Sequence, residues 1–237
     1  LRRELSVDLE LDQKESIVRM PELLHAMVDV TISNGGWLGP ALDAMELCQM
    51  LVQAMWDSDS VFKQLPHLTP AMLDALAALG CESIDDFLEL EPAQRKSVLQ
   101  ELKPAQINDI VRVCNRYPRV SVDTLRSDAD QVATVGSTFT LAVQLSRDDA
   151  EEDDNLGIAH APFFGRQKIE NWWVFVVDKA SELILAIKRL PFAAEKVASK
   201  LVFPLPDTPG TLDYALYVVC DSWVGCDKEI DLSIPVK

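Results

Sequence analysis

The sequence predicts a helical first half followed by a β-sandwich, and two observations carry that division. As far as Tyr117 the apolar residues recur at helical spacing, and several segments open on proline or a hydroxyl residue, as helix starts do. From Pro118 onward the chain becomes a series of short runs rich in β-branched and aromatic residues, separated by turn-like or charged stretches. At 237 residues there is room for two or three small domains, each with its own core.

The first helix is read over residues 12 to 33, "DQKESIVRMPELLHAMVDVTIS", with Ile17, Met20, Leu24, Met27 and Val28 along one face and Pro21 expected to kink or restart it. "SNGGW" breaks it. The stretch "WLGPALDAMELCQMLVQAMW", residues 37 to 56, then predicts a helix dry around most of its girth, with Pro40 as its first residue. At about 100° per residue its polar positions Asp43, Glu46, Gln49 and Gln53, with Asp57 just beyond, fall in a stripe roughly 120° wide. Such a helix belongs at the centre of a bundle, with that stripe toward solvent or a partner. After "KQLPHLTP", Thr69 can cap and Pro70 can open "AMLDALAALG", which Gly80 closes. "SIDDFLEL", "EPAQRKSVLQEL" and "KPAQINDIVRVCNRYP" continue as short helices. The strands are read as "VSVDTL", "TFTLAVQL", "NWWVFVV", "LILAIKRL", "SKLVFPL" and "DYALYVV", the pattern of a β-sandwich. The acidic run at 147 to 155, "RDDAEEDDN", reads as a solvated loop between strands rather than a metal site.

The net charge is −16, spread as −9 over residues 1 to 117 and −7 over residues 118 to 237. Both halves repel polyanions, which disfavours nucleic acid and anionic membrane as partners. No apolar run reaches the roughly 18 residues of a membrane span, and "LRRELSVDLELDQ" lacks the apolar stretch of a signal peptide. Five cysteines, an odd number without a CxxC pair, fit a reducing cytosolic or nuclear setting.

Catalytic signatures are missing. No glycine precedes a lysine, so there is no Walker-type phosphate loop, and neither H-E-x-x-H nor G-x-S-x-G occurs. His25, His67 and His160 lie in different blocks, and each reads as a surface or satisfied core residue. Cys220, Asp221, Cys226 and Asp227 flank the turn "DSWVGCD", where packing is the better reading than a metal. The block "LDALAALGCESIDDFLEL" has the outline of a phosphate-holding helix-hairpin-helix, but Glu82, Asp85 and Asp86 would oppose a phosphate there. No catalytic residue, cofactor or metal is assigned.

"NGGWLGPALDAMELCQMLVQAMW", "KQLPH", "NRYPRV", "NWWVFVVDKASELILAIKRL" and "YVVCDSWVGCDKEIDLSI" follow one another in this order. On these segments the chain resembles the C-terminal accessory unit shared by large Ski-type RNA helicases and the J-domain protein of the endoplasmic-reticulum translocon. Within that family it is most similar to units of the spliceosomal two-cassette helicases. The resemblance implies three parts: the later helices of a helical bundle (1–66), a helix-loop-helix domain (67–117) and an immunoglobulin-like or fibronectin-like sandwich (118–237). It also implies a nuclear, non-catalytic module that docks splicing proteins beside the helicase cassette of the same polypeptide. Its alternatives are an RNA-contacting ratchet or the translocon protein's equivalent.

In relatives that act as ratchets, the helix matching residues 40 to 57 holds the strand with basic and aromatic side chains. The equivalents here are Asp43, Glu46, Gln49, Gln53 and Trp56, and between Arg19 and Lys63 there is no Lys or Arg but six acids. RNA binding by this chain alone is therefore not expected. Trp172, Trp173 and Trp223 are the candidate partner-contacting aromatics. "NWWVFVV" is apolar on both faces, so one face packs the sandwich core and the other needs a cover, from this chain or from a partner.

Overall fold

The computed structural model describes residues 6–126, 133–147 and 156–237; the acidic stretch 148–155 lies outside them. Helices come first: α1 (Val7–Ser33), α2 (Leu38–Gln53), a 3₁₀ turn (Val61–Gln64), α3 (Pro70–Ala78), α4 (Ile84–Glu89), α5 (Pro92–Val98) and α6 (Pro104–Arg116). Among the described residues nine strands follow: β1 (Val120–Arg126), β2 (Thr138–Arg147), β3 (Ile158–Ala159), β4 (Lys168–Ile169), β5 (Asn171–Asp178), β6 (Leu183–Pro191), β7 (Lys196–Pro204), β8 (Gly210–Cys220) and β9 (Lys228–Val236). The helix-then-strand order is the one the sequence predicts.

Local chemistry accounts for most boundaries. Thr69 accepts a hydrogen bond from the Met72 amide and Pro70 opens α3, while Gly80 adopts φ +77 to end it. Ser83 and Asp86 form a reciprocal capping box at α4. Two helix readings need correction. α1 runs unbroken through Pro21, because Pro21, Leu24 and Val28 are all buried and their packing outweighs one lost backbone bond. Met20 and Met27 face outward, so the covered arc is narrower than the apolar one. α2 begins two residues before Pro40, after Trp37, because its start is pinned to the sheet: the Leu38 amide donates to Glu182 O at 3.1 Å.

All ladders among the major strands are antiparallel. One sheet has the order β1-β2-β7, a second β6-β5-β8-β9, and β3 pairs with β4. β2 buries every second residue, the period-2 signature of a half-covered strand. Its inward side chains Leu141, Val143 and Leu145, with Leu201 and Phe203 of β7, share one core with Trp172, Val174 and Val176 of β5. That core continues into α3–α6 through Phe62, Phe87, Ile110 and Tyr117.

A second core lies on the opposite face of β5. Trp173, Phe175 and Val177 pack beneath Leu24, Val28, Ala41, Ala44, Met45 and Cys48 of the α1–α2 hairpin. The hairpin's turn is stitched down at Gly36, whose carbonyl accepts from the Ile184 amide at 2.7 Å. Gly36 has φ +69, and a Cβ there would lie 2.8 Å from Ile184 O, so only glycine fits.

Candidate interaction surface

Three glutamines tie the helices to the β8–β9 turn. Gln49 Nε2 donates to Cys220 O and to Asp227 Oδ2, each at 2.8 Å, and Gln53 Nε2 donates to Ser222 O at 2.5 Å. Gln64 pairs with Val224 in both directions, donating to its carbonyl at 3.0 Å and accepting from its amide at 2.8 Å. Residues 221–227 lie outside the strands, so their backbone groups need side-chain partners, and amides on α2 and the 3₁₀ turn supply them.

This corrects the polar stripe read from the helical wheel. Asp43, Glu46 and Asp57 are exposed as expected, but Gln49 and Gln53 are buried at 3% and 5%. A wheel scores an amide as wet, whereas in this fold it satisfies buried carbonyls. Gln49→Ala is expected to cost about 1 to 3 kcal/mol, because it leaves Cys220 O without this donor. Asp43→Ala and Glu46→Ala together should stay within about 0.5 kcal/mol. Urea unfolding of the three variants checks the contrast.

The candidate docking aromatics are corrected as well. Trp172, Trp173 and Trp223 are all buried, at 0%, 1% and 0%. Trp172 and Trp223 point their indole N–H groups at one carboxylate, Glu170, at 3.4 and 2.9 Å. Glu170 also accepts from Arg147, whose Nη1 lies at 3.1 Å and whose guanidinium sits over the Phe192 ring. Burial pushes the Glu170 carboxyl up, against the opposing pull of Arg147 and the two indoles. The cover that "NWWVFVV" required comes from the chain itself: the α1–α2 hairpin lies over Trp173.

A second buried carboxylate, Asp221, closes the hairpin–sheet seam. It accepts from Lys168 Nζ at 2.7 Å, from the Asn171 amide at 2.9 Å and from Asn171 Nδ2 at 3.1 Å, with Ser222 Oγ and His25 Nε2 also against it. Burial alone would raise this carboxyl; hydrogen bonding by His25, the Lys168 charge and the Asn171 amide outweigh it and hold the group at about 2.

Cys48 completes a Cys–His–Asp grouping in outline only. One nitrogen, His25 Nε2, faces both Cys48 Sγ at 3.9 Å and Asp221 at 3.3 Å, so it cannot take a proton from one while being oriented by the other. Burial also pushes the Cys48 thiol up to about 12. Among the described residues no group of three or more His, Cys, Asp and Glu is placed to hold a metal. At the helix-hairpin-helix outline, the Asp86 carboxylate already accepts from the Glu82 and Ser83 amides at 2.9 and 2.8 Å. A phosphate would have to displace it.

What the fold leaves open is apolar. Ile17 of α1, Leu47, Met50 and Leu51 of α2, Trp56 and Phe163 line a groove of about 450 Å³. Trp56 is 72% exposed and Phe163 70%. Glu46 and Asp57 stand exposed in the same stretch of chain. The nearest cation that follows, Lys63, is ion-paired with Asp59, which also accepts from the Trp56 amide. Reading the chain alone missed Phe163, which no periodic run contains.

A model of the Sec63 Brl domain matches residues 2–233. The chain belongs to the Sec63 Brl domain family. Members similar to it include the U5 small nuclear ribonucleoprotein 200 kDa helicases of Drosophila melanogaster and Homo sapiens, each 41% identical over 99% and 100% of this chain. The DExH-box ATP-dependent RNA helicase DExH12 of Arabidopsis thaliana is 38% identical over all of it. This Sec63 Brl chain spans 11% of the length of each of those helicases. Among solved structures, a CARDB domain from Pyrococcus furiosus covers 51% of the chain at a TM-score of 0.33 and 10% identity, too slight a likeness to bear on function.

Proposed function

We propose that this Sec63 Brl chain is a non-catalytic docking and regulatory module of a nuclear, spliceosomal RNA helicase, holding splicing proteins beside the helicase cassette of the same polypeptide. The division into later bundle helices (1–66), a helix-loop-helix domain (67–117) and an immunoglobulin-like or fibronectin-like sandwich belongs to the same reading. Two sheets of three and four strands around one core support the sandwich. The helicase names of the relatives support the setting. The observation that carries the docking role is the groove at Trp56 and Phe163: large apolar side chains stand in solvent beside the exposed acids Glu46 and Asp57, and Lys63 is ion-paired with Asp59. Trp172, Trp173 and Trp223 are buried and stand back from this docking surface, with Trp173 packed beneath the α1–α2 hairpin that carries the groove.

The competing role, a ratchet that grips RNA, separates cleanly by experiment. Fluorescence anisotropy with labelled single-stranded RNA is expected to show no binding at physiological salt up to tens of micromolar protein, roughly the range in which even basic proteins bind non-specifically. Crosslinking mass spectrometry on the full-length protein in its native particle should place another protein against Lys14 or Lys63, the exposed lysines nearest the groove in sequence. Saturable RNA binding that weakens steeply with salt and disappears in Trp56→Ala would overturn the docking role.

A further inference from the structure

On a chain of net charge −16, one cleft reverses the local sign. It lies where α1 crosses the end of the four-stranded sheet, has a volume of about 490 Å³, and is lined by Arg166, Arg189, Lys168, His25, Gln167 and Asn171, with Glu22 as its exposed acid. Pro21, Phe164 and Ile169 give it an apolar wall.

The cations are placed by the fold. Arg189 pairs with Trp173 across β5 and β6, so it projects from the same face as Trp173, the face that α1 covers. Arg189 is exposed and makes no ion pair or hydrogen bond among the described residues. Arg166 is fixed from three sides: Nη2 donates to Val18 O at 3.4 Å and lies 3.9 Å from Glu22, and its guanidinium sits 6.0 Å from the Phe164 ring centre. Both contacts use the same Nη2, and a guanidinium carries five N–H donors. Lys168 is turned inward, and its charge is met by Asp221, so the two arginines carry the cleft's positive charge.

We propose that this cleft binds an oxyanion carried on a peptide, with a phosphate monoester as the best fit and a carboxylate as the weaker one. Two guanidinium groups match a dianion and its several acceptor oxygens, while the Asn171 side-chain amide is already committed to Asp221 and the Ile169 carbonyl. A peptide is favoured over RNA because the cations form one isolated nest. A polyanion needs a track of them, and from Glu22 to Phe62 the chain offers none. The cleft is separate from the groove at Trp56, so this inference stands or falls independently of what docks there.

The test is an NMR titration of the ¹⁵N-labelled chain, following the Arg166 and Arg189 Nε–H and Asn171 side-chain amide signals. The probes are N-acetyl-phosphoserine methylamide, its glutamate counterpart, inorganic phosphate and a single-stranded RNA dodecamer. Saturating shifts are expected with the phosphoserine compound, weaker ones with glutamate and with free phosphate, and none at these signals with RNA. Arg189→Ala and Arg166→Ala should each weaken phosphoserine binding by about tenfold, the loss of one charge-assisted contact, with the melting temperature unchanged. Absence of saturation with every probe, or shifts that persist in both variants, would overturn the site. Free phosphate binding as tightly as the phosphoserine compound, or RNA binding more tightly, would overturn the peptide as its source.

Discussion

Replacing Asp221 by Ala is expected to destabilise the protein by about 3 to 5 kcal/mol, the usual consequence of removing one partner from a buried ion pair. Lys168, with 8% of its side chain exposed, would be left in a buried site with no carboxylate partner, and the Asn171 amides would lose their acceptor. Urea unfolding measures the loss, and Asp221→Leu combined with Lys168→Met should recover part of it, since a well-packed apolar pair can replace a buried ionic one. The same carboxylate sets an acid limit. Its folded value of about 2 lies below the ordinary 3.8, so its contribution is complete above about pH 4 and is lost as pH falls toward 2. That contribution is about 2 kcal/mol, and it should be absent from the acid-unfolding curve of Asp221→Leu/Lys168→Met.

Trp173→Ala should cost a similar amount, about 3 to 5 kcal/mol, as expected for a large aromatic deleted from a close-packed core. Its consequence is more local. The indole lies under His25, ring centres 5.1 Å apart and edge to face, and within the core shared with Leu24, Val28 and Met45. The sandwich interior takes Trp172 instead, on the other face of β5. The variant should therefore loosen the α1–α2 hairpin first. Hydrogen exchange is the measurement: earlier exchange in α1 and α2 than in β2 and β8 fits this account, and uniform loss across the chain contradicts it.

Much of the fold was legible because local rules decide it. The Thr69–Pro70 start, the Gly80 stop and the double-sided apolar run at Asn171–Asp178 each follow from chain stereochemistry or from period, and each appears where expected. β9 went unread although Ile230, Leu232, Ile234 and Val236 alternate, because charged residues dominate the start of that run. The surface was less legible. Whether Gln49 faces water or a carbonyl depends on a turn 171 residues away. Whether Trp173 is a docking residue or a core residue depends on which element reaches it first, and that is a tertiary outcome that residue type does not reveal.

The glutamine ties from α2 to the β8–β9 turn also bear on the order in which the molecule can assemble. Gln49 and Gln53 find their carbonyl acceptors 171 and 169 residues later, at the far end of the strand region. During synthesis, then, the α1–α2 hairpin emerges before the strands and has no seat until β5 and β8 have paired. Through that interval the apolar side of α2, with Met45, Cys48 and Val52, has no sheet beneath it. Contacts of such long sequence separation slow folding and extend the time during which an intermediate can aggregate. Strands made after them thus lock α1 and α2 in place, and a chain truncated before Cys220 should leave both helices unanchored.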